Sequence, residues 1–387
     1  MADPGVWDCV VVGAGVMGSA CSLQLVQNGV RTLLLEQFCL PHSRGSSWGQ
    51  TRATRKSYRQ EHYARMAAES NKLWRQVETE SGTKLTVDAR QLAWGRPDNP
   101  ILQDIHTNLH KVGVQSQVLT NQDLRHQFPM LRFPGNYVGV TEAGAGLIKA
   151  DQAVRALQDL FIQKGGCMRD GEAVTGIIPG PTVSVTTSKR TLQTKRLVLT
   201  CGPWAGKLLS NLGLDLPLKT LRINVCYWKE KDPPSYSLLS DFPVFKDEEV
   251  EVYGLPCFEY PDMMKICRHT GHPADPDNRD VNMQADLTFD LQFLRDFVRK
   301  HFPGLHDKPS IVETCMYTNT PDGEYILDRH PKHRNIVIGA GFSGHGFKLA
   351  PMVGKLLCEL VLDRAPSLDM TPFRVDRFTS KKTVSKL

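Results

Sequence analysis

The apolar positions of this chain follow two rhythms. "DCVVVG" (Asp8–Gly13) and "RTLLLE" (Arg31–Glu36) are unbroken apolar runs, the pattern of strands buried on both faces. Between them, Ala14 to Gln27 reads as a helix stopped at Gly29. Together they predict a strand–helix–strand unit with parallel strands. Helical spacing returns over His62–Ser81, Ala150–Gly166 and Asp290–Phe302. "TKRLVLTCGPW" (Thr194–Trp204) reads as a strand running into a Gly-Pro turn. "LRINVCYWKE" (Leu221–Glu230) alternates and predicts an antiparallel strand. Prolines, aromatics and short strands then dominate to about Tyr317, after which parallel α/β character is expected to return.

Nucleotide-type segments therefore sit at both ends and in the middle, with strand-rich segments between. The pattern predicts an α/β chain (α+β overall) in which a Rossmann-like domain is interleaved with an antiparallel-sheet domain. The boundaries fall at residues 1–88, 148–218 and 316–387 for the first, and 89–147 and 219–315 for the second. The length of 387 residues agrees with two domains.

Composition narrows the class. Net charge is +6 with scattered bases, which argues against a nucleic-acid partner. No apolar run approaches the roughly 20 residues of a membrane span. The ten cysteines include no C-x-x-C pair and no zinc spacing, so they read as reduced, mostly buried thiols, and no metal is expected. The chain ends Ser385-Lys386-Leu387, which reads as a peroxisomal address, so recognition by an import receptor is expected.

Candidate chemistry begins at Gly13-Ala14-Gly15-Val16-Met17-Gly18. Gly13 permits the turn, Gly15 lets backbone approach a pyrophosphate, and Gly18 lets the helix pack close to the sheet. The helix N-terminus offers N–H groups to phosphates. Glu36, ending the second strand, is placed for a ribose hydroxyl, which favours FAD or NAD over NADP. "RGSSWGQTRATR" (Arg44–Arg55) follows where an NAD dehydrogenase would continue into another helix and strand, so a loop over a flavin is the better reading. A second G-x-G-x-x-G, Gly339 to Gly344, lies near the C-terminus and leads to His345 and Lys348.

These stretches, with "CGPW" at Cys201–Trp204, "ETCMYTNTPD" at Glu313–Asp322 and "GAGFSGHGFK" at Gly339–Lys348, resemble the monomeric sarcosine oxidase family, and within it a peroxisomal branch. The resemblance spans nearly the whole chain. It implies a monomeric FAD enzyme that oxidises secondary amino acids, such as sarcosine or L-pipecolate, with O2 and releases H2O2. It implies covalent attachment of the flavin through Cys315. It assigns the substrate carboxylate to Arg55 and Lys348, and places Arg52 against the flavin. Tyr253, His269 and Tyr317 fall around the substrate, and His345 in the glycine turn. Gly339, Gly341 and Gly344 are assigned to the flavin end. Lys265, unusual in the apolar run "DMMKIC", matches the lysine that assists reaction with oxygen; a fixed cation there would stabilise a developing superoxide. Trp48 departs from the family's histidine. Three rivals stay open: a D-amino-acid or glycine oxidase with non-covalent FAD, a flavin-binding regulatory protein, and an NAD dehydrogenase.

Overall fold

The computed structural model describes residues 5–281 and 283–378; the Ser385-Lys386-Leu387 tripeptide lies outside the described residues. Two sheets organise the chain. In the first, the strand order is Ile326–Arg329, Ile336–Ala340, Thr191–Leu199, Val6–Val12, Thr32–Leu35, Cys167–Arg169. The four strands from Ile336–Ala340 to Thr32–Leu35 are mutually parallel, and Cys167–Arg169 joins them in parallel at one end. The expected apolar runs are its centre. Val10, Val11, Leu33 and Leu34 are completely buried, because helices cover one face and further chain the other.

Helix Val16–Gln27 follows the first strand, and Gly29 then takes φ +76° to end it. Helices Glu61–Ser81, Ala150–Gln163 and Ala350–Val361 pack on the same side and share one apolar core that includes Leu23, Trp74, Phe161 and Leu357. Trp74 is fully buried and its indole N–H donates to the Lys348 carbonyl at 3.0 Å, which ties a long helix to the C-terminal glycine turn.

The second sheet is ordered His272–Pro273, Lys219–Lys229, Met263–Arg268, Val252–Tyr260, Val244–Asp247, Thr86–Gly95, Val138–Lys149, Thr51–Thr54. Ile311–Asn319 pairs with Lys219–Lys229, and Ser116–Leu119 with Val138–Lys149. Pairing is antiparallel throughout except between Val244–Asp247 and Thr86–Gly95. Helix Met283–His301 covers a core of Trp94, Trp228, Phe245 and Phe302.

The structure departs from the sequence pattern at four points, the first being that Thr51–Thr54, expected within a loop, is a strand paired with Val138–Lys149. Helix Met283–His301 starts seven residues before the expected Asp290, since its first turns lack an apolar stripe. The first strand to return after Tyr317, Ile326–Arg329, is antiparallel to its neighbour Ile336–Ala340, and parallel order resumes only there. Strands Thr86–Gly95 and Ile311–Asn319 run across the expected boundaries at 88/89 and 315/316.

Candidate active site

The two sheets meet along one elongated cavity of about 850 Å³, within the range of cofactor and ligand pockets. One end is walled by the first glycine turn, Val12 to Met17, and by Glu36. At Gly13 φ is +99°, and a Cβ would lie 2.6 Å from the Thr200 carbonyl oxygen, so only glycine turns there. A Cβ on Gly18 would sit 1.9 Å from the Gly13 oxygen; this glycine serves helix–turn packing and does not line the cavity. Glu36 is buried and accepts the Ala14 N–H at 2.9 Å. Burial raises its carboxyl pKa, but His42 at 3.4 Å and the Phe38 and Ala14 N–H groups outweigh that and hold it below the usual range.

The loop from Arg44 to Gln50 lies over this cavity and runs into strand Thr51–Thr54. Ser47 Oγ accepts the Val16 N–H at 2.9 Å, so the loop caps the helix that follows the glycine turn. Trp48, 45% exposed, stands at the cavity wall. Arg52 donates to the carbonyls of Thr51 (2.7 Å) and Ser46 (3.1 Å) and lies over the Phe347 ring. It fixes loop against C-terminal turn.

At the other end, strand alternation puts Glu313, Cys315 and Tyr317 on one face of Ile311–Asn319, and all three line the cavity. Cys315 is a free thiol, 3.8 Å from the Ser46 carbonyl. Cys201 also lines the cavity, at the glycine-turn end, but burial pushes its thiol up to about 12, which makes it a poor nucleophile at neutral pH.

Tyr253, Tyr317 and His269 form a chain: the two hydroxyls are 3.5 Å apart and the Tyr317 hydroxyl is 3.3 Å from His269 Nδ1. His269 is pushed down to about 3, first by burial and then by Lys246, Lys348 and Arg55, so the ring is neutral at physiological pH. Its side chain lines the cavity and is partly exposed to it.

Cations converge on this end. Lys348, nine-tenths buried, donates to the His345 carbonyl at 3.2 Å and lies 5.7 Å from the Tyr58 ring centroid; Arg55 lies 4.5 Å from the same ring. Burial, then Arg55, Lys246 and Arg52, hold the Lys348 ammonium well below its ordinary pKa. Among the described residues no carboxylate lies within ion-pair distance of Arg52, Arg55 or Lys348, whereas Lys246 has Glu248 at 2.6 Å. Buried cations without counter-charge are costly unless an anion arrives. An arrangement of this kind can hold a carboxylate.

Lys265 occupies the adjoining wall. It is 7% exposed and paired with Glu259, whose side chain is shielded from solvent and also accepts from Thr51 and Tyr227. Tyr227 is directly across the strand pair from Lys265.

The structure sets apart some of the expected site residues. Gly339 is a strand residue whose missing side chain makes room for Leu357 and Thr200, and Gly341 turns at φ +66° against Thr320; neither lines the cavity. Gly344 does: at φ +76° a Cβ would strike Tyr317 and His269. His345 lines the cavity wall, but both ring nitrogens are engaged, by the Tyr325 hydroxyl (2.8 Å) and the Gly323 carbonyl (3.3 Å). Those bonds hold the turn and leave no nitrogen for substrate. Sequence reasoning missed Lys246, Tyr227 and Glu259. Glu259 and Lys265 flank the Pro261-Asp262 turn, which signals a hairpin, but a bulge between Leu255 and Tyr260 decides that the two side chains meet.

The family model for FAD dependent oxidoreductases matches residues 8–360. The chain belongs to that family. It is 49% identical over 382 residues to the peroxisomal sarcosine oxidase of Homo sapiens, which covers 98% of each chain. It is 32% identical over 388 residues to the monomeric sarcosine oxidase of Bacillus sp. (strain B-0618), again 98% of each. Within the family it is therefore a member of the monomeric sarcosine oxidase group, and so an FAD-dependent oxidase acting on amines. Among solved structures the L-proline dehydrogenase of P. horikoshii shares the fold, with TM-score 0.82 at 18% identity over 98% of this chain and 99% of that one.

The residues present fit FAD. The glycine turn, capped helix N-terminus and buried Glu36 suit its adenosine and pyrophosphate. The cavity continues without interruption to Cys315 and Tyr317, and the space beside Gly15 and Gly344 is kept open by their missing side chains.

Proposed function

We propose that this protein oxidises the CH–NH bond of secondary amino acids, N-methyl or cyclic, such as sarcosine and L-pipecolate, with O2 as acceptor and H2O2 as product. The observation that carries this reading is the group of unpaired cations, Arg52, Arg55 and Lys348, beside a neutral imidazole and two phenols. Arg55 and Lys348 bind the substrate carboxylate; Arg offers a fork and Lys a point charge. Their mutual repulsion is relieved when the carboxylate enters. His269, held neutral, accepts a hydrogen bond from the amine and keeps its nitrogen oriented, with Tyr317 and Tyr253 bracing the ring. Bound FAD supplies the two-electron acceptor and the reductant for O2. Cys315 holds it covalently in this proposal; a free thiol on the cavity wall, facing away from the apolar core, supports that role. Lys265 stands where a cation would favour negative charge developing on oxygen.

In the same proposal residues 1–88, 148–218 and 316–387 bind FAD and 89–147 and 219–315 shape the substrate end. The protein acts as a monomer and resides in peroxisomes. The human relative is named peroxisomal, and Ser385-Lys386-Leu387 matches an import address.

The test is an absorbance spectrum with a peroxide assay across N-methyl, cyclic and primary amino acids and their decarboxylated amines. The expected result is a flavin spectrum, and peroxide formed from secondary amino acids but not from amines lacking the carboxylate. Equal turnover of the decarboxylated amines would overturn the carboxylate clamp, and with it the substrate class.

A further inference from the structure

The wall that carries Lys265 holds more ionisable groups than a cation site needs. Tyr227 is 1% exposed, and its hydroxyl lies 2.5 Å from Glu259 Oε2 and 3.2 Å from Glu313 Oε2. The second oxygen of Glu313 receives the Tyr260 hydroxyl at 2.6 Å. The second oxygen of Glu259 faces Lys265 and Thr51. The result is one continuous line of polar atoms: Tyr260, Glu313, Tyr227, Glu259, Lys265. Tyr260 and Glu313 are partly exposed, and Lys265 is buried at the cavity.

A phenol carries one proton. Here it stands between two carboxyl groups. Glu259 faces the Lys265 ammonium, and although burial raises its pKa, Lys265, Thr51 and Tyr227 together bring it below the ordinary value; it is the ionised acceptor of the Tyr227 proton. The same hydroxyl also lies 3.2 Å from Glu313, so Tyr227 bridges the two carboxyl groups.

We propose that Glu313, Tyr227 and Glu259 form a proton relay from the Tyr260 end of the wall to Lys265, supplying proton to the oxygen half of the reaction. The inference rests on the proposed function, in which Lys265 faces the reducing oxygen. The balance requires such a supply. Oxidation of CH–NH to C=N releases two electrons and two protons at the His269 end, and O2 takes two electrons and two protons to become H2O2 at the Lys265 end. The two electrons and one proton can pass through the cofactor, and the second proton needs a path of its own. In one relay event the Lys265 ammonium gives a proton to the reducing oxygen. A proton taken up by Glu313 from water moves to the Tyr227 oxygen as Tyr227 gives its own to Glu259, and Glu259 returns that proton to the Lys265 amine. Each N–H or O–H bond broken is matched by one formed, and the Lys265–Glu259 pair is ionised again. Tyr227 and Glu259 are positioning and conducting residues, not substrate-binding ones.

The test uses the flavin-loaded protein and the variants Tyr227→Phe and Glu313→Gln, which keep shape and leave the Lys265–Glu259 pair in place. Stopped-flow measurement separates amine oxidation without oxygen from reoxidation with oxygen. Reoxidation is expected to fall about 10²-fold in Tyr227→Phe, the lower range for losing a positioned proton donor, with a larger solvent deuterium isotope effect and amine oxidation unchanged. Normal reoxidation in both variants overturns the relay. If Lys265→Met slows amine oxidation instead of reoxidation, the oxygen-side reading itself falls and takes the relay's purpose with it.

Discussion

Replacing Lys265 with Met deletes an ammonium whose partner, Glu259, has a side chain only 4% exposed. Glu259 then has two courses. It stays ionised without its counter-charge, which for a broken buried pair costs about 3–5 kcal/mol. Or it takes up a proton. From an ordinary carboxyl value of 4.5, protonation at pH 7 spans 2.5 units and costs about 3.4 kcal/mol at roughly 1.36 kcal/mol per unit. The cheaper course sets the loss, so Lys265→Met should lose about 3–4 kcal/mol at pH 7. The loss should shrink as pH falls toward 4.5, because protonating the carboxyl then costs little. Lys265→Met/Glu259→Gln removes both charges and should recover most of the stability, since Thr51 and Tyr227 still have an amide to meet. Urea denaturation of the flavin-loaded proteins at pH 5 and pH 7 measures this. The double variant, once stable, gives a clean kinetic test: anaerobic amine oxidation should change little and reoxidation should slow about 10²–10³-fold. A pH-independent loss in the single variant would refute the buried pair as the cause. Full-speed reoxidation in the double variant would refute the role of the Lys265 charge.

Lys348→Met should weaken a carboxylate inhibitor by at least roughly 30-fold in Kd, about 2 kcal/mol for one partner of a buried charge pair, while making the ligand-free protein more heat-stable; calorimetry and melting curves read the two effects. His269 titrates at about 3 in the folded chain against 6.5 unfolded, and His345 is displaced the same way. Between those values the unfolded chain binds protons that the native protein refuses, so stability should decline as pH drops from 6.5 toward 3, less steeply in His269→Asn. Acid-precipitated protein should stay yellow and Cys315→Ser should release its flavin; colour in the supernatant of the unmutated protein would end the covalent assignment. A reporter carrying the last dozen residues should enter peroxisomes and lose that ability without Leu387, as microscopy would show.

The glycine turn after Val12, the buried strands on either side of helix Val16–Gln27, and Glu36 were legible in the sequence because each is a local necessity. A turn that closes onto the Thr200 carbonyl admits no side chain, and a strand covered on both faces admits few polar ones. Motif likeness likewise named Cys315, Arg55, Lys265 and Lys348, and the fold brings all four to one cavity. The same likeness assigned Gly339 and Gly341 to the cofactor end, yet these serve packing, because a G-x-G-x-x-G string does not say which glycine faces a ligand and which faces Leu357 or Thr320.

Charge partners were decided only by tertiary structure. In sequence, Lys265 is a lone base in an apolar run, and Lys348, after a glycine turn, would pass for a surface base. In the fold, a bulged hairpin turns Glu259 onto Lys265, while among the described residues Lys348 has no carboxylate partner and sits against a carbonyl and an aromatic face. The one is satisfied within the chain, and the other is left for a substrate carboxylate in the proposed function. The difference arises from strand register and from side chains hundreds of residues apart, since a Coulomb energy depends on separation in space and on burial, and the order of residues along the chain fixes neither by itself.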